Sequence, residues 1–213
     1  MSVESKISSG IIQDDAIIIR AAKPELEEGL VFARYFDEAS EGFFRKMLGE
    51  KTYEIIADAF VKPNNEYSFE NAMMIEYNSD IVGMVLGYTY AEKAGFTKGI
   101  LFQYPGGAKL KIRMFSVLGN VLSRFLGPLG EEDYYLQSIA VSSQMRGKGL
   151  GQRLMKYSSE IALEKGSKTL SLDVSSKNGN AIKSYKKFGM DVVSVWPNFL
   201  KLQPVFTKMR KEL

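Results

Sequence analysis

Gln144-Met145-Arg146-Gly147-Lys148-Gly149-Leu150-Gly151 follows an apolar run, Tyr134-Tyr135-Leu136-Gln137-Ser138-Ile139-Ala140-Val141, and opens a helix-like run that ends at Gly166. The order is strand, glycine turn, helix. The first turn of a helix carries backbone N–H groups with no intrahelical acceptor, and the helix dipole adds partial positive charge there. A glycine-rich turn at that point is a seat for phosphate or pyrophosphate, and Arg146 and Lys148 add charge to it.

Two familiar phosphate loops are excluded by spacing. A Walker A loop ends Gly-Lys-Ser/Thr, but Gly149 follows Gly147-Lys148, so the magnesium-binding hydroxyl is missing. A dinucleotide fingerprint needs G-x-G-x-x-G; here the third glycine falls at Gly151 and position 152 is Gln152.

The pattern that fits is Gln/Arg-x-x-Gly-x-Gly/Ala, and a second segment follows it: Asn178-Gly179-Asn180-Ala181-Ile182-Lys183-Ser184-Tyr185-Lys186-Lys187-Phe188-Gly189-Met190. Together these resemble the GNAT superfamily of acetyl-CoA-dependent N-acyltransferases. The second segment is similar to the family's Asn-x-x-Ala-x-x-x-Tyr-x-x-x-Gly-Phe helix, with Met190 in place of Phe. The resemblance covers residues 134–196 closely and the remainder only in the order of its elements.

The resemblance implies an α/β (α+β) fold with a mixed, mostly antiparallel central sheet flanked by helices. It implies a splayed strand pair at the acyl-CoA site. Backbone groups of Ile139, Ala140 and Val141 would bond the pantetheine arm. The turn formed by Gln144, Arg146, Gly147, Lys148, Gly149, Leu150 and Gly151 would hold the pyrophosphate. Tyr185 would protonate the departing thiolate, and Asn178 would contact the donor or simply cap its helix. The family often places a Glu on the strand before the glycine turn or on the adjacent hairpin as base. That strand here offers Gln137, so Glu76 is the candidate base, with a water chain as the alternative.

Composition narrows the chemistry further. The 213 residues contain no Cys and no His. Disulfides, thiolate nucleophiles, Ser-His-Asp triads and H-E-x-x-H metal sites are therefore excluded. Acid–base work falls to Asp, Glu, Tyr, Lys or water. Acyl transfer from coenzyme A suits such a chain, because the donor brings its own activated acyl group and leaving group. The expected reaction is direct acetyl transfer from acetyl-CoA, without a metal, to an amine in a ternary complex. The rival reading is a non-catalytic acyl-CoA-binding or sensing module on the same fold.

The charge balance, 28 basic against 25 acidic residues, gives a net +3 and indicates neither nucleic acid nor stable membrane association. The N-terminus does not read as a signal peptide, and the longest apolar stretch, Ile81 to Ala91, is too short to span a bilayer. The expectation is a cytoplasmic protein with acetyl-CoA and an amine-bearing acceptor as partners; a homodimer is compatible with this.

Along the chain, residues 1–15 read as a polar arm and residues 16–213 as one domain. Ala16–Ala22 reads as a strand, Pro24 onward as a helix, and Ser40 onward as a second helical region bent at Gly49. Met73–Tyr77 and Ile81–Tyr90 read as a hairpin around Asn78-Ser79-Asp80. Thr169–Val174 is a strand, Asn178–Phe188 a helix, and Asp191–Trp196 and Pro204–Arg210 a closing pair of strands. Residues 92–132 form a long insertion containing an amphipathic helix near 109–126. Its expected role is to pack on the domain and wall the acceptor site.

Overall fold

The computed structural model describes residues 16–103, 129–197 and 203–213. The expected arm at residues 1–15 and the expected helix near 109–126 lie outside the described residues.

The chain runs β1 (Ile17–Ala21), α1 (Leu26–Ala39), α2 (Phe43–Leu48), α3 (Thr52–Phe60), β2 (Ala72–Tyr77), β3 (Asp80–Thr89), α4 (Tyr90–Gly95), β4 (Asp133–Val141), α5 (Leu150–Glu164), β5 (Thr169–Ser175), α6 (Gly179–Lys187), β6 (Asp191–Trp196) and β7 (Phe206–Glu212). The strands form one seven-stranded sheet in the order β1-β2-β3-β4-β5-β7-β6. Neighbours are antiparallel except β4 and β5. This is the mixed, mostly antiparallel sheet expected from the sequence.

The hairpin joining β2 to β3 turns on Asn78 (φ 51°) and Ser79 (φ 70°), two successive left-handed residues. Such turns match the right-handed strand twist. β3 lies so close to β4 that a Cβ on Gly83 would sit 2.5 Å from the Ala140 carbonyl oxygen, and one on Gly87 2.5 Å from the Tyr134 ring. Only glycine permits that approach.

Each face of the sheet buries its own core. On one face Phe32, Phe36, Ile56 and Phe60 of α1 and α3 pack over Met74, Met84 and Leu86, with the Phe32 and Phe60 rings 4.8 Å apart. Burying each such side chain contributes about 1.5–3 kcal/mol. On the other face Leu150, Leu154, Met155 and Ala162 of α5 pack over Ile75, Val85, Leu136, Leu170 and Leu172, with Ala181, Ile182 and Tyr185 of α6 at the margin.

Two elements differ from the sequence expectation. The apolar run assigned to the second hairpin strand ends at Thr89, and Tyr90–Gly95 is helical instead. The cause is a capping box: the Thr89 hydroxyl accepts from the Glu92 N–H, and the Glu92 carboxylate accepts from the Thr89 N–H. The final strand begins at Phe206 rather than Pro204, since proline has no N–H for the ladder. Among the described residues no helix is long and apolar enough to cross a membrane.

Candidate active site

β4 and β5 pair only through Asp133–Thr169, Tyr134–Leu170 and Tyr135–Ser171. Beyond Tyr135 the strands part. The opening starts where β4 carries an irregularity: Leu86 pairs with Ser138 and Gly87 with Leu136, leaving Gln137 as an extra residue. A bulge bends a strand and ends local pairing. The stretch Ile139–Val141, still paired to β3 on one side, therefore turns its other edge to the gap.

A cleft of about 160 Å³ lies between this free strand end, α5 and α6, lined by Ile139, Ala140, Val141, Gly151, Met155, Ala181, Ser184 and Tyr185. It brings together the strand, the glycine turn and the tyrosine that the sequence singled out separately. The helix that carries Tyr185 is fixed to α5 by Gln152, whose side-chain amide donates to the Ser184 carbonyl at 2.9 Å.

At the mouth of the cleft, Ser143–Met145 forms one turn of 3-10 helix containing the exposed Gln144. Gly147 (φ 77°) and Gly149 (φ 83°) are left-handed, and Gly149 caps the N-terminus of α5 with no side-chain partner. The first-turn N–H groups of α5 thus face outward uncapped. An added Cβ at Gly147, Gly149 or Gly151 would meet no protein atom within 4 Å. The glycines leave open space rather than relieve a clash within the chain. Leu150 is buried and anchors the turn in the core. Lys148 is partly exposed. The Arg146 guanidinium turns back to the Val141 carbonyl at 3.2 Å and pairs with Glu38 at the end of α1, bracing the turn.

Tyr185 is half-buried. Burial pushes its phenol up to about 12, so it is protonated at neutral pH. Asn178 caps α6, accepting from the Ala181 N–H at 3.1 Å. Glu76 is not brought to the cleft. It lies on β2, two strands from β4, and its carboxylate is held by Arg20 at 2.6 Å. Arg20 also bonds Glu28, and the two carboxylates hold its proton more firmly than usual.

A second group of residues, on the α1–α3 side of the opening, escaped the sequence reading. The Tyr135 hydroxyl donates to the Asp173 carboxylate at 3.1 Å. The Tyr135 ring packs 5.8 Å from that of Tyr88, which is 2% exposed. Burial pushes the Asp173 carboxyl up, against the opposing pull of Lys208, the Tyr135 hydrogen bond and Lys93. Burial likewise raises Glu66, which neighbours Tyr67 and Lys93. A carboxylate inside the alternating run Thr169–Val174 was the signal for Asp173 in the sequence, and it reads equally as a solvated position on a strand.

A parallel strand pair parted beside an uncapped helix N-terminus, with a tyrosine in the gap, defines an acyltransferase scaffold. The chain belongs to the Acetyltransferase (GNAT) family, whose model matches residues 32–190. It is similar to a putative ribosomal protein bS18-alanine N-acetyltransferase of Bacillus subtilis (strain 168), at 35% identity over 32% of this chain and 45% of that protein. It is also similar to the thialysine N-epsilon-acetyltransferase of Bos taurus, at 40% identity over 26% of this chain and 32% of that protein. The chain thus matches less than half the length of these curated relatives. In fold it resembles an N-acetyltransferase from Staphylococcus aureus Mu50, with a TM-score of 0.64, 17% identity and coverage of 91% and 100% of the two chains.

Proposed function

We propose that this protein transfers the acetyl group of acetyl-CoA directly to an acceptor amine in a ternary complex. The observation that carries this reading is the cleft between the end of β4 and helices α5 and α6, in which Ile139–Val141, Gly151 and Tyr185 share one space.

The roles follow from position. The pyrophosphate of the donor lies on the uncapped N–H groups at Gly147–Gly151, with Lys148 and Gln144 at the rim. The pantetheine arm runs along Ile139–Val141 as an added half-strand, bonded to backbone groups that β5 leaves unpaired. The thioester then lies beside the bulge, with Tyr185 on the α5–α6 side.

The acceptor arrives as an ammonium and loses one proton before attack. Its nitrogen then bonds to the carbonyl carbon, and the C–S bond breaks with the electron pair leaving on sulfur. The adduct loses a second proton. Tyr185 donates its proton to the sulfur and regains one, so that one proton is released overall. A thiol titrates near ~8.5, below the Tyr185 phenol at about 12. Full transfer is therefore uphill, and a hydrogen bond that tightens as charge grows on sulfur supplies the stabilisation.

The named acceptors of the two curated relatives are an alanine and thialysine. Both are amines, and they leave the acceptor of this chain to its own residues. Initial-rate thiol release, measured while acetyl-CoA and an amine are varied together, tests the proposal. Intersecting double-reciprocal lines are expected. Parallel lines would indicate an acetyl-enzyme, and donor binding without turnover on any amine would indicate a binding module.

A further inference from the structure

Four buried side-chain atoms without a hydrogen-bond partner among the described residues lie on β4 and β5, at the opening or at the last pair before it: Gln137 Oε1, Ser138 Oγ, Ser171 Oγ and Asp173 Oδ1. Buried polar groups are ordinarily paired, and an isolated orphan is a local cost. Four on two adjacent strands mark a place built for something with hydrogen-bonding groups. Ser138 is only 7% exposed and pairs with Leu86, whose side chain lies in the α1–α3 core. Asp173 alternates with Leu172 and Val174, which face the α5 core. The hydroxyl of Ser138 and the carboxylate of Asp173 therefore lie on the α1–α3 face, opposite Tyr185.

The same face carries a cation already. Lys93, an exposed residue of α4, sets its ammonium 5.8 Å from the centre of the Tyr135 ring. It acts electrostatically on both Glu66 and Asp173. Tyr88, Tyr135 and Phe96 supply ring walls, with Tyr88 and Phe96 at 5.0 Å edge to face. Rings and carboxylates around one ammonium on an unbranched alkyl chain form a receptor for that chemistry.

We propose that the acceptor is a primary alkylammonium on an unbranched chain, received between the Tyr135 ring, Glu66 and Asp173, with Asp173 as its proton acceptor and Lys93 as the chain's own stand-in. This rests on the acetyltransfer reading above and names the acceptor class of that site. Asp173 Oδ1 takes one proton from the ammonium, while Tyr135 holds Oδ2 in place. The free amine attacks the acetyl carbonyl carbon and the C–S bond breaks as described. The second proton leaves the adduct, and Asp173 returns its own to solvent. Burial makes Asp173 a stronger base than an exposed aspartate, which suits the task. Burial raises it, and Lys208, Tyr135 and Lys93 oppose that rise, while Glu66 acts on the neighbouring Tyr88 and Tyr135 rings.

Cadaverine, n-butylamine and an alanyl peptide with a free N-terminus, each supplied with acetyl-CoA, form the test. Cadaverine and n-butylamine are expected to be used with a kcat/KM at least tenfold above the peptide's. Asp173→Asn keeps the shape and removes a buried charge. It is expected to lower kcat/KM for the alkylamines by ~10²-fold or more, to flatten the acidic limb of the pH profile, and to leave acetyl-CoA affinity within twofold. Tyr135→Phe, which removes only the hydroxyl, is expected to shift that limb. Lys93→Ala vacates the site and is expected to lower KM for n-butylamine. Use of the alanyl peptide in preference to alkylamines, or full activity of Asp173→Asn on alkylamines, would overturn this proposal while leaving acetyl transfer intact. No calorimetric binding of acetyl-CoA would overturn both.

Discussion

Replacing Gly151 by Glu is expected to strengthen the fold and destroy donor binding. Gly151 is the second residue of α5 and lines the cleft. A Cβ there meets nothing within 4 Å, and its φ is not left-handed. The fold therefore accommodates the side chain. Removing a helical glycine contributes about 0.5–1 kcal/mol, and a carboxylate in the first turn adds about 0.3–1 kcal/mol through the dipole. In a chain of 213 residues a gain near 1 kcal/mol raises Tm by roughly 2–4 °C. The same carboxylate lies where a pyrophosphate would sit. At ~5 Å and an effective dielectric of ~20, one pair of like charges costs about 3 kcal/mol, or roughly 10²-fold in Kd. Differential scanning calorimetry and titration with acetyl-CoA measure both terms on one sample. A raised Tm with undiminished affinity would refute the placement of the pyrophosphate. A lowered Tm would refute the account of the helix start.

Tyr185→Phe is expected to leave acetyl-CoA affinity unchanged and to reduce turnover by ~10²–10⁴ in pre-steady-state measurements. Because the phenol titrates at about 12, the wild-type rate is expected to show no falling limb from this residue below pH ~10. Asp133 is 1% exposed and is held by Arg210, the Thr169 hydroxyl and the Gly130 N–H, which outweigh its desolvation and keep its carboxyl below the usual range. Its stabilising effect is thus full above the unfolded value near ~3.9 and lost as pH falls through the folded value. Asp133→Ala is expected to cost about 3 kcal/mol in urea unfolding, the low end for a broken buried pair, because Arg210 remains 37% exposed. Asn178→Ala removes a helix cap and is expected to cost about 1 kcal/mol, with donor affinity as the readout that separates capping from contact.

Local chemistry made much of this legible in the sequence. The glycine turn, the Asn78-Ser79 hairpin and the helix that opens at Leu150 and is stopped by Gly166 each depend on neighbours in sequence, and each lies where expected. Features created by pairing across the chain were not legible. The bulge at Gln137 shows only against β3. Tyr135 and Asp173 meet because two strands run parallel, bringing together residues 38 apart. Glu76 is a carboxylate on the hairpin, one of the places where the resemblance allows a base, yet the register that sets Arg20 beside β2 gives it another partner. The helix at Tyr90 was readable from Thr89 and Glu92, but the apolar run preceding it masked the capping pattern.

Backbone amide chemical shifts during titration with acetyl-CoA test the central claim most directly. The account predicts that the largest perturbations fall on Ile139, Ala140, Val141, Gly147, Gly149 and Gly151, the strand edge and the helix start that bound the cleft. Saturating perturbations confined to α1, α2 and α3, or no perturbation at all, would contradict it.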